Sequence, residues 1–443
     1  MALGLARSAV VASLLLGAGC TLITDSFATN EFSGDEYPIF VDTSSGALRL
    51  GVRQAGVPDR SAVLDVLSPV TLVDPGPSAA PSIETATFTL LGQRTPADPA
   101  DQPRAVLVDK QVISIHPCEE TVAPCVIGPT TAPVDYGAII GADSLAGDAV
   151  RLRLGDDQIF VLPDIGGEEV FRTRACDGVF PSPYRGGGTL LIGGTEVSFC
   201  GRRIAVATCL GDLPTPRWSQ GYRGADALFV MSTSIGPSLI GESAYRRYVD
   251  AHPPCVPPTL PDVDPECPPI PPALESLPEG TINLPSGPVD GRFGTIPNLA
   301  LVAASSATPR AACRQVYTSH FMLQRNCNNM DDCPCENPEA SFCGAPAILH
   351  VAPPAGIPIF VVADANVTLQ ALRAELRPNQ AEVDGILGTS AMKTAEIDVD
   401  YPHNRLLVRC SGEGCITRPQ ITESSDRAQA RGCLKNTPPG PVF

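Results

Sequence analysis

One carboxylate interrupts an apolar, β-branched stretch early in the chain, which reads AVLDVLSPVTLV at positions 62–73. Asp65 follows two apolar residues and precedes two more, so the pattern predicts that its carboxylate is buried. Two carboxylates held close together share one proton, and such a pair can activate water with one member as base and the other as acid. A single carboxylate cannot fill both roles, so acid–base chemistry of this kind depends on a second acid.

The chain repeats this stretch at 228–242, which reads LFVMSTSIGPSLIGE. Ser232 aligns with Asp65, because two apolar residues precede each of them. Six residues later each copy has a hydroxyl, at Thr71 and Ser238, and two apolar residues follow it. A serine hydroxyl does not titrate near neutral pH, so Ser232 cannot replace a carboxylate in acid–base chemistry.

A second pair of motifs follows in the same order. The segment DYGAIIGADSLAGDAVRLRL at 135–154 matches VDGILGTSAMKTAEIDVDYPHNRLLV at 383–408. Each copy has an acid, an apolar stretch and a glycine, Gly141 or Gly388, and then an alternating strand pattern. Two motifs that recur in the same order predict an internal duplication.

Taken together, these motifs resemble the pepsin-like aspartic peptidases over residues 36–166 and 190–412. The resemblance implies a mostly β, bilobal fold of two β-barrels, with one catalytic turn in each lobe and a substrate cleft between the lobes. It also implies that Asp65 and Ser232 occupy the two catalytic positions. Asp65 would be an inactive remnant of the site, and Ser232 would replace the second aspartate.

The two turns also depart from the family's Asp-Thr-Gly pattern. Family threonines hydrogen-bond across the lobe interface beneath the acids, which Thr233 can do and Val66 cannot. The family's flap tyrosine is missing, since no Tyr occurs between Tyr37 and Tyr136. We therefore expect a protein without peptidase activity, whose cleft binds an extended peptide or protein segment. The residues expected to bind it are Val66, Leu67, Ser68, Thr233 and Ser234, and those expected to shape the lobes are Gly141 and Gly388.

Three alternatives stay open at this point. Asp65 can be a hydrogen-bonded structural acid. The chain can be a divergent active endopeptidase that uses Asp65 with an unaligned acid, although Asp226 has the surroundings of a loop residue and Asp74-Pro75-Gly76 those of a turn. It can also be a structural surface lipoprotein whose cysteine-braced insertions contact neighbouring molecules.

The spacing of the motifs places extra sequence in the second lobe. Asp65 to Ile139 spans 74 residues and Ser232 to Ile386 spans 154, an excess of 80. A Pro-rich insertion at 251–291 and a Cys-rich insertion at 313–345 account for most of it. The predicted division is a signal peptide at 1–19, a tether at 20–35, a first lobe at 36–166, a linker at 167–189, a second lobe at 190–415 and a tail at 416–443.

The amino terminus reads MALGLARSAVVASLLLGAGC and resembles a bacterial lipoprotein signal, in which Cys20 becomes the lipidated residue. The next residue, Thr21, favours the outer membrane, so we expect an exported protein anchored there by lipid. A formal net charge of −17 argues against nucleic acid as a partner.

The chain has 16 cysteines, and export makes disulfides the default interpretation. Lipidation of Cys20 would leave an odd number. The spacing at Cys327, Cys333, Cys335 and Cys343 fits no common zinc template, and the five histidines are scattered. We therefore expect neither a metal nor a cofactor.

Overall fold

The structure is a computed structural model, and it shows a mostly β chain with two large sheets, one separate hairpin and two α-helices among the residues that it describes. The predicted signal and the Cys-rich insertion lie outside those residues, as do the tether before Asp35, the tail after Ile416, and residues 253–269 and 285–286 of the Pro-rich insertion. The structure describes residues 35–54, 57–68, 71–73, 82–91, 93–94, 106–114, 138–145, 148–156, 158–163, 178–182, 188–192, 195–199, 203–211, 224–252, 270–284, 287–302, 348–376, 382–401 and 403–416.

The first half of the chain contributes thirteen strands. They are β1 (Asp35–Val41), β2 (Leu48–Gln54), β3 (Val57–Leu64), β4 (Leu72–Val73), β5 (Ser82–Leu90), β6 (Gln93–Arg94), β7 (Val106–Ser114), β8 (Ala138–Ile140), β9 (Asp148–Arg153), β10 (Gln158–Pro163), β11 (Gly178–Pro181), β12 (Gly188–Ile192) and β13 (Thr195–Phe199).

The second half contributes twelve strands and both α-helices. The strands are β14 (Ala205–Gly211), β15 (Gly224–Met231), β16 (Ser238–Gly241), β17 (Glu279–Leu284), β18 (Gly287–Ile296), β19 (Leu299–Val302), β20 (Ile348–Val351), β21 (Ile357–Val362), β22 (Gly385–Leu387), β23 (Ala395–Asp400), β24 (Arg405–Cys410) and β25 (Cys415–Ile416); the helices are α1 (Glu242–Asp250) and α2 (Val367–Leu376).

A three-strand unit occurs once in each half and confirms the predicted duplication. In the first unit β8 lies between β3, which it pairs in parallel, and β4, which it pairs antiparallel. In the second unit β22 lies between β15 and β16 with the same directions. The registers also agree, since Val63 pairs with Ile139 as Val230 pairs with Ile386. In the first large sheet β5 also pairs with β2, so β2, β3, β8, β4, β7 and β5 form a ring of paired strands. The strand order of the second large sheet is open within the described residues.

The number of positions that separates equivalent residues of the two copies, here called the offset, shows where the second half is longer. Asp65 and Ser232 are 167 positions apart, like the hydrogen-bonded pair Val66 and Thr233. After β21 the offset is 247, which is the separation of Arg151 and Asp398. The difference is 80 residues, and it matches the excess that the motif spacing gave.

The two halves meet along β9 and β23, which pair antiparallel in the centre of the order β11-β24-β23-β9-β10-β1. Arg151 on β9 lies opposite Asp398 on β23, and these two positions correspond to each other in the duplication. The Arg151 guanidinium donates two hydrogen bonds of 2.5 Å to the Asp398 carboxylate. We call this strand pair the seam.

Two apolar clusters form the core. The larger one draws residues from both halves, from Tyr37 on β1 to Val408 on β24. The smaller one lies beside the turn that follows β15 and packs α2 against β15, β16 and β21. Cys410 and Cys415 form a disulfide, and Cys209 is also disulfide-bonded, in accord with the expected oxidised state. Among the described residues no helix is long and apolar enough to cross a membrane.

Candidate functional site

The first turn begins where β3 ends. The Asp65 N–H donates to the Ile140 carbonyl at 3.0 Å, which ties the turn to β8. The Asp65 carboxylate turns back on its own loop, because its Oδ1 accepts the Leu67 N–H at 3.0 Å. Ser68 completes the turn by donating its N–H to the Asp65 carbonyl at 3.1 Å. Asp65 is fully buried, as the apolar flanks predict.

The second turn has the same backbone with different side chains. The Ser232 N–H donates to the Leu387 carbonyl at 2.9 Å, as Asp65 does to Ile140. Its hydroxyl accepts the Ser234 N–H at 3.1 Å, where Asp65 uses a carboxylate oxygen. The hydroxyls of Ser232 and Ser234 are also 3.0 Å apart. The turn geometry is therefore retained although the acid is not.

The two turns meet between the halves of the chain. The Ser232 hydroxyl donates to Asp65 Oδ1 at 3.2 Å, so the aligned positions are in direct contact. In a pair of acids this place would hold a shared proton. Here the hydroxyl supplies a hydrogen bond and no titrating group, so this contact offers one base and no acid.

Thr233 links the turns a second time. Its hydroxyl donates to the Leu64 carbonyl at 2.6 Å and accepts the Val66 N–H at 3.1 Å. The resemblance implied such a bond across the lobes. Val66 occupies the matching position and has no hydroxyl with which to return the bonds, so the link uses a side chain from the second half only.

The two predicted glycines and the two hydroxyls of the repeat form matching bonds. The Gly141 N–H donates to Thr71 Oγ1 at 3.1 Å, and the Gly388 N–H donates to Ser238 Oγ at 3.1 Å. A Cβ at Gly388 would lie 2.5 Å from the Pro237 carbonyl oxygen, so this position excludes any side chain. These bonds explain why both copies have a hydroxyl six residues after the turn begins.

Arg203 is a site residue that the sequence reasoning missed. It is the largest fully buried side chain of the described residues, and its guanidinium donates to the carbonyl of Leu67, beside Asp65. Its own carbonyl accepts a bond from Ser182 Oγ, which also accepts the Ala205 N–H at 3.0 Å. An arginine directly before the apolar run IAVATCLG was the available signal.

The acid of the second repeat is structural. Asp384 accepts the Leu228 N–H at 2.9 Å through one carboxylate oxygen. The other oxygen forms an ion pair of 2.6 Å with Arg247 on α1. The carboxylate therefore ties β15 to α1.

Asp226 was expected in a loop, and that expectation is wrong. It lies within β15, opposite Cys209 on β14, in the first part of the strand, where partly buried and buried residues alternate. Asp74-Pro75-Gly76 lies outside the described residues. His403 occupies the turn between β23 and β24, and its Nδ1 is 2.9 Å from Asp400 Oδ1.

All five residues expected to bind a ligand are at most 1% exposed. They surround the Asp65–Ser232 contact, but in this conformation none of them offers a surface to solvent. The five residues are Val66, Leu67, Ser68, Thr233 and Ser234.

Among the described residues no group of three His, Cys, Asp or Glu side chains could hold a metal ion.

No family model and no curated protein matches this chain. Similar solved structures include basic 7S globulin from soybean, with 10% identity, a TM-score of 0.40, and coverage of 86% of this chain and 96% of the globulin. They also include an aspartic proteinase from Irpex lacteus, with 11% identity, a TM-score of 0.32, and coverage of 85% and 97%. Conglutin gamma from lupine seeds has 9% identity, a TM-score of 0.36, and coverage of 86% and 96%. The fold assignment rests on the strand pairings of this chain.

Proposed function

We propose that this chain is an exported, lipid-anchored protein of the bacterial outer membrane that does not hydrolyse peptides and binds an extended peptide or protein segment between its lobes. The observation that carries the first half of this proposal is the contact between Asp65 Oδ1 and the Ser232 hydroxyl. Paired-carboxylate hydrolysis needs a base and an acid at that place, and this pair supplies only the base.

Burial of the site supports the same conclusion. Hydrolysis requires a water molecule and a substrate carbonyl beside the carboxylate. Asp65 is fully buried, and its Oδ1 already accepts hydrogen bonds from the Leu67 N–H and the Ser232 hydroxyl. These bonds suit a carboxylate that joins two turns.

The binding half of the proposal rests on the resemblance and on the architecture. Turns from two β lobes meet at one place, and extended ligands commonly bind β proteins by adding to a sheet edge through their main chain. Burial of all five expected binding residues favours a second candidate function, a structural surface lipoprotein whose joined lobes bind nothing at this site.

The test is a peptidase and binding assay on residues 21–443. The protein would be mixed with a peptide library from acid to neutral pH, with Asp65→Asn as the site variant. Asp59→Asn is the matched control, because Asp59 is an exposed acid that pairs with Arg53 on the surface. We expect no cleavage by any of the three proteins, and binding that Asp65→Asn weakens and Asp59→Asn leaves unchanged.

Two other outcomes would change the assignment. Cleavage that Asp65→Asn abolishes would contradict the proposal and establish the active endopeptidase with an unaligned acid. A folded protein that neither cleaves nor binds any peptide would favour the structural lipoprotein.

A further inference from the structure

A short loop of the first half crosses to the second turn. It runs from the loop after β1 to the first residue of β2, residues 42–48, and we call it the latch. The Gly236 N–H donates to the Ser45 carbonyl at 2.7 Å, and the Leu48 N–H donates to the Thr233 carbonyl at 2.8 Å. The latch therefore bonds to the main chain on both sides of Ser234.

A third bond fixes the middle of the latch. The Thr389 hydroxyl donates to the Gly46 carbonyl at 2.9 Å. Gly46 has a φ of +74°, and a Cβ there would lie 2.2 Å from the Gly236 Cα. Two glycine backbones are thus in contact where the latch meets the turn, and a side chain at Gly46 cannot be accommodated without moving one of them.

The latch is also ordered internally. Asp42 Oδ1 accepts the Ser44 N–H at 2.8 Å and the Ser44 hydroxyl at 2.6 Å, and Arg49 forms an ion pair of 2.8 Å with the same carboxylate. The Ser44 bonds, with the backbone of Ser45 and the charge of Arg49, lower the pKa of Asp42 to about 2. The loop therefore reaches the second turn in a fixed shape.

The groups that the latch occupies define what could replace it. They are one main-chain N–H, one main-chain carbonyl and one hydroxyl, and the latch meets them with main-chain atoms alone. An extended peptide presents carbonyls and N–H groups in alternation, so it can offer the same partners.

We propose that the latch closes the site and that a ligand binds as an extended main chain that takes over the latch's bonds to Gly236, Thr233 and Thr389. This inference rests on the proposed function, since it names how that site is regulated and what class of ligand it admits. It also accounts for a binding site whose residues are buried: the closed form is the ground state, and only the fraction with a released latch is competent to bind.

Hydrogen exchange of the full chain tests the latch itself. The amides of Gly236 and Leu48 report its bonds directly, and amides of β14 and β15 report global opening. Gly46→Ala should accelerate exchange at the two latch amides by about tenfold or more, and leave the β14 and β15 amides unchanged.

Two further variants make the result decisive. Thr389→Val removes only a hydroxyl, so it serves if Gly46→Ala folds poorly, and it should act in the same direction. Gly155→Ala is the matched control, because a Cβ there meets nothing closer than 3.8 Å and exchange should not change. Equal acceleration at all amides, or none at the latch, would overturn the proposal.

Peptide binding separates this inference from the proposed function. If latch release admits the ligand, Gly46→Ala should bind the peptide library about tenfold more tightly than the wild-type protein, because the competent fraction rises. If the latch amides exchange separately from those of β14 and β15 but neither protein binds a peptide, the proposed function and the ligand class are refuted. The latch is then a structural contact. Cleavage by the wild-type protein would refute the proposed function alone.

Discussion

The seam between β9 and β23 allows a prediction with a worked magnitude. Arg151 and Asp398 form a bidentate ion pair, and their side chains are only 3% and 8% exposed. Glu396 lies 3.2 Å from the Arg151 Nε and pairs with Arg153 at 2.5 Å. The substitution Arg151→Met would leave Asp398 as a buried charge without its main partner, which costs about 3–5 kcal/mol of folding free energy.

Removing both charges should cost much less than removing one. Replacing a buried ion pair by apolar side chains of similar volume is often close to neutral. In Arg151→Met/Asp398→Leu, Glu396 keeps its bond to Arg153, so no uncompensated carboxylate is left. We expect the double variant to recover at least about half of the free energy that Arg151→Met loses, which is a strong positive coupling between neighbouring positions.

Urea unfolding followed by circular dichroism, with disulfides intact, measures these differences. Arg53→Met is the matched control, because Arg53 makes the same two-bond contact with Asp59 on the surface and its loss should change stability little. If Arg151→Met costs no more than Arg53→Met, or if the double variant is no more stable than Arg151→Met, the buried pair does not join the lobes and the reasoning fails.

Three further predictions concern the site and the latch. The pKa of Asp42 is lowered to about 2, so its contribution to stability is present above the unfolded value of 3.8 and disappears as the pH falls towards 2. Asp42→Asn should remove that part of the acid dependence of stability, which thermal melts at a series of pH values measure. Ser232→Asp would place a second buried carboxylate beside Asp65, so the variant should be less stable than wild type at pH 7. It should regain stability towards pH 4, where the two carboxylates share one proton. Thermal melts at both pH values, with Ser232→Asn as the control, test this prediction. Thr233→Val should cost about 2 kcal/mol in urea unfolding, because the Val66 N–H and a buried carbonyl lose their partner, and a cost near zero would show that the link is dispensable.

The sequence predicted the duplicated turns well because their signals are local. Apolar residues before Asp65 and Ser232 become strands, and a hydroxyl six residues later meets a glycine N–H, so spacing alone carries the information. The mostly β class followed from the same patterns. The pattern of Asp226 was misinterpreted because an acid near the start of a strand, ahead of its apolar run, can look like the end of a loop.

Apart from the Thr233 bond and the Asp65–Ser232 site, which the resemblance implied, contacts between the halves could not be predicted, since nothing local marks them. Arg151 and Asp398 are 247 residues apart, and each one alone is an ordinary charged residue in an alternating strand. Arg203 reaches Leu67 across 136 positions. The latch depends on two glycine backbones that touch only after both halves have folded.

The duplication is symmetric where main-chain bonds shape the turns and asymmetric where the halves touch. Asp65 accepts a bond from Ser232, and Arg151 pairs with Asp398, although each pair occupies equivalent positions in the two copies. Identical residues at these positions would place like groups together, which requires a shared proton for two acids and brings repulsion for two arginines. At both places the two copies instead pair a donor with an acceptor. Such pairs favour docking of one half on the other, and at the Asp65–Ser232 contact the hydroxyl leaves no second carboxylate with which a proton could be shared.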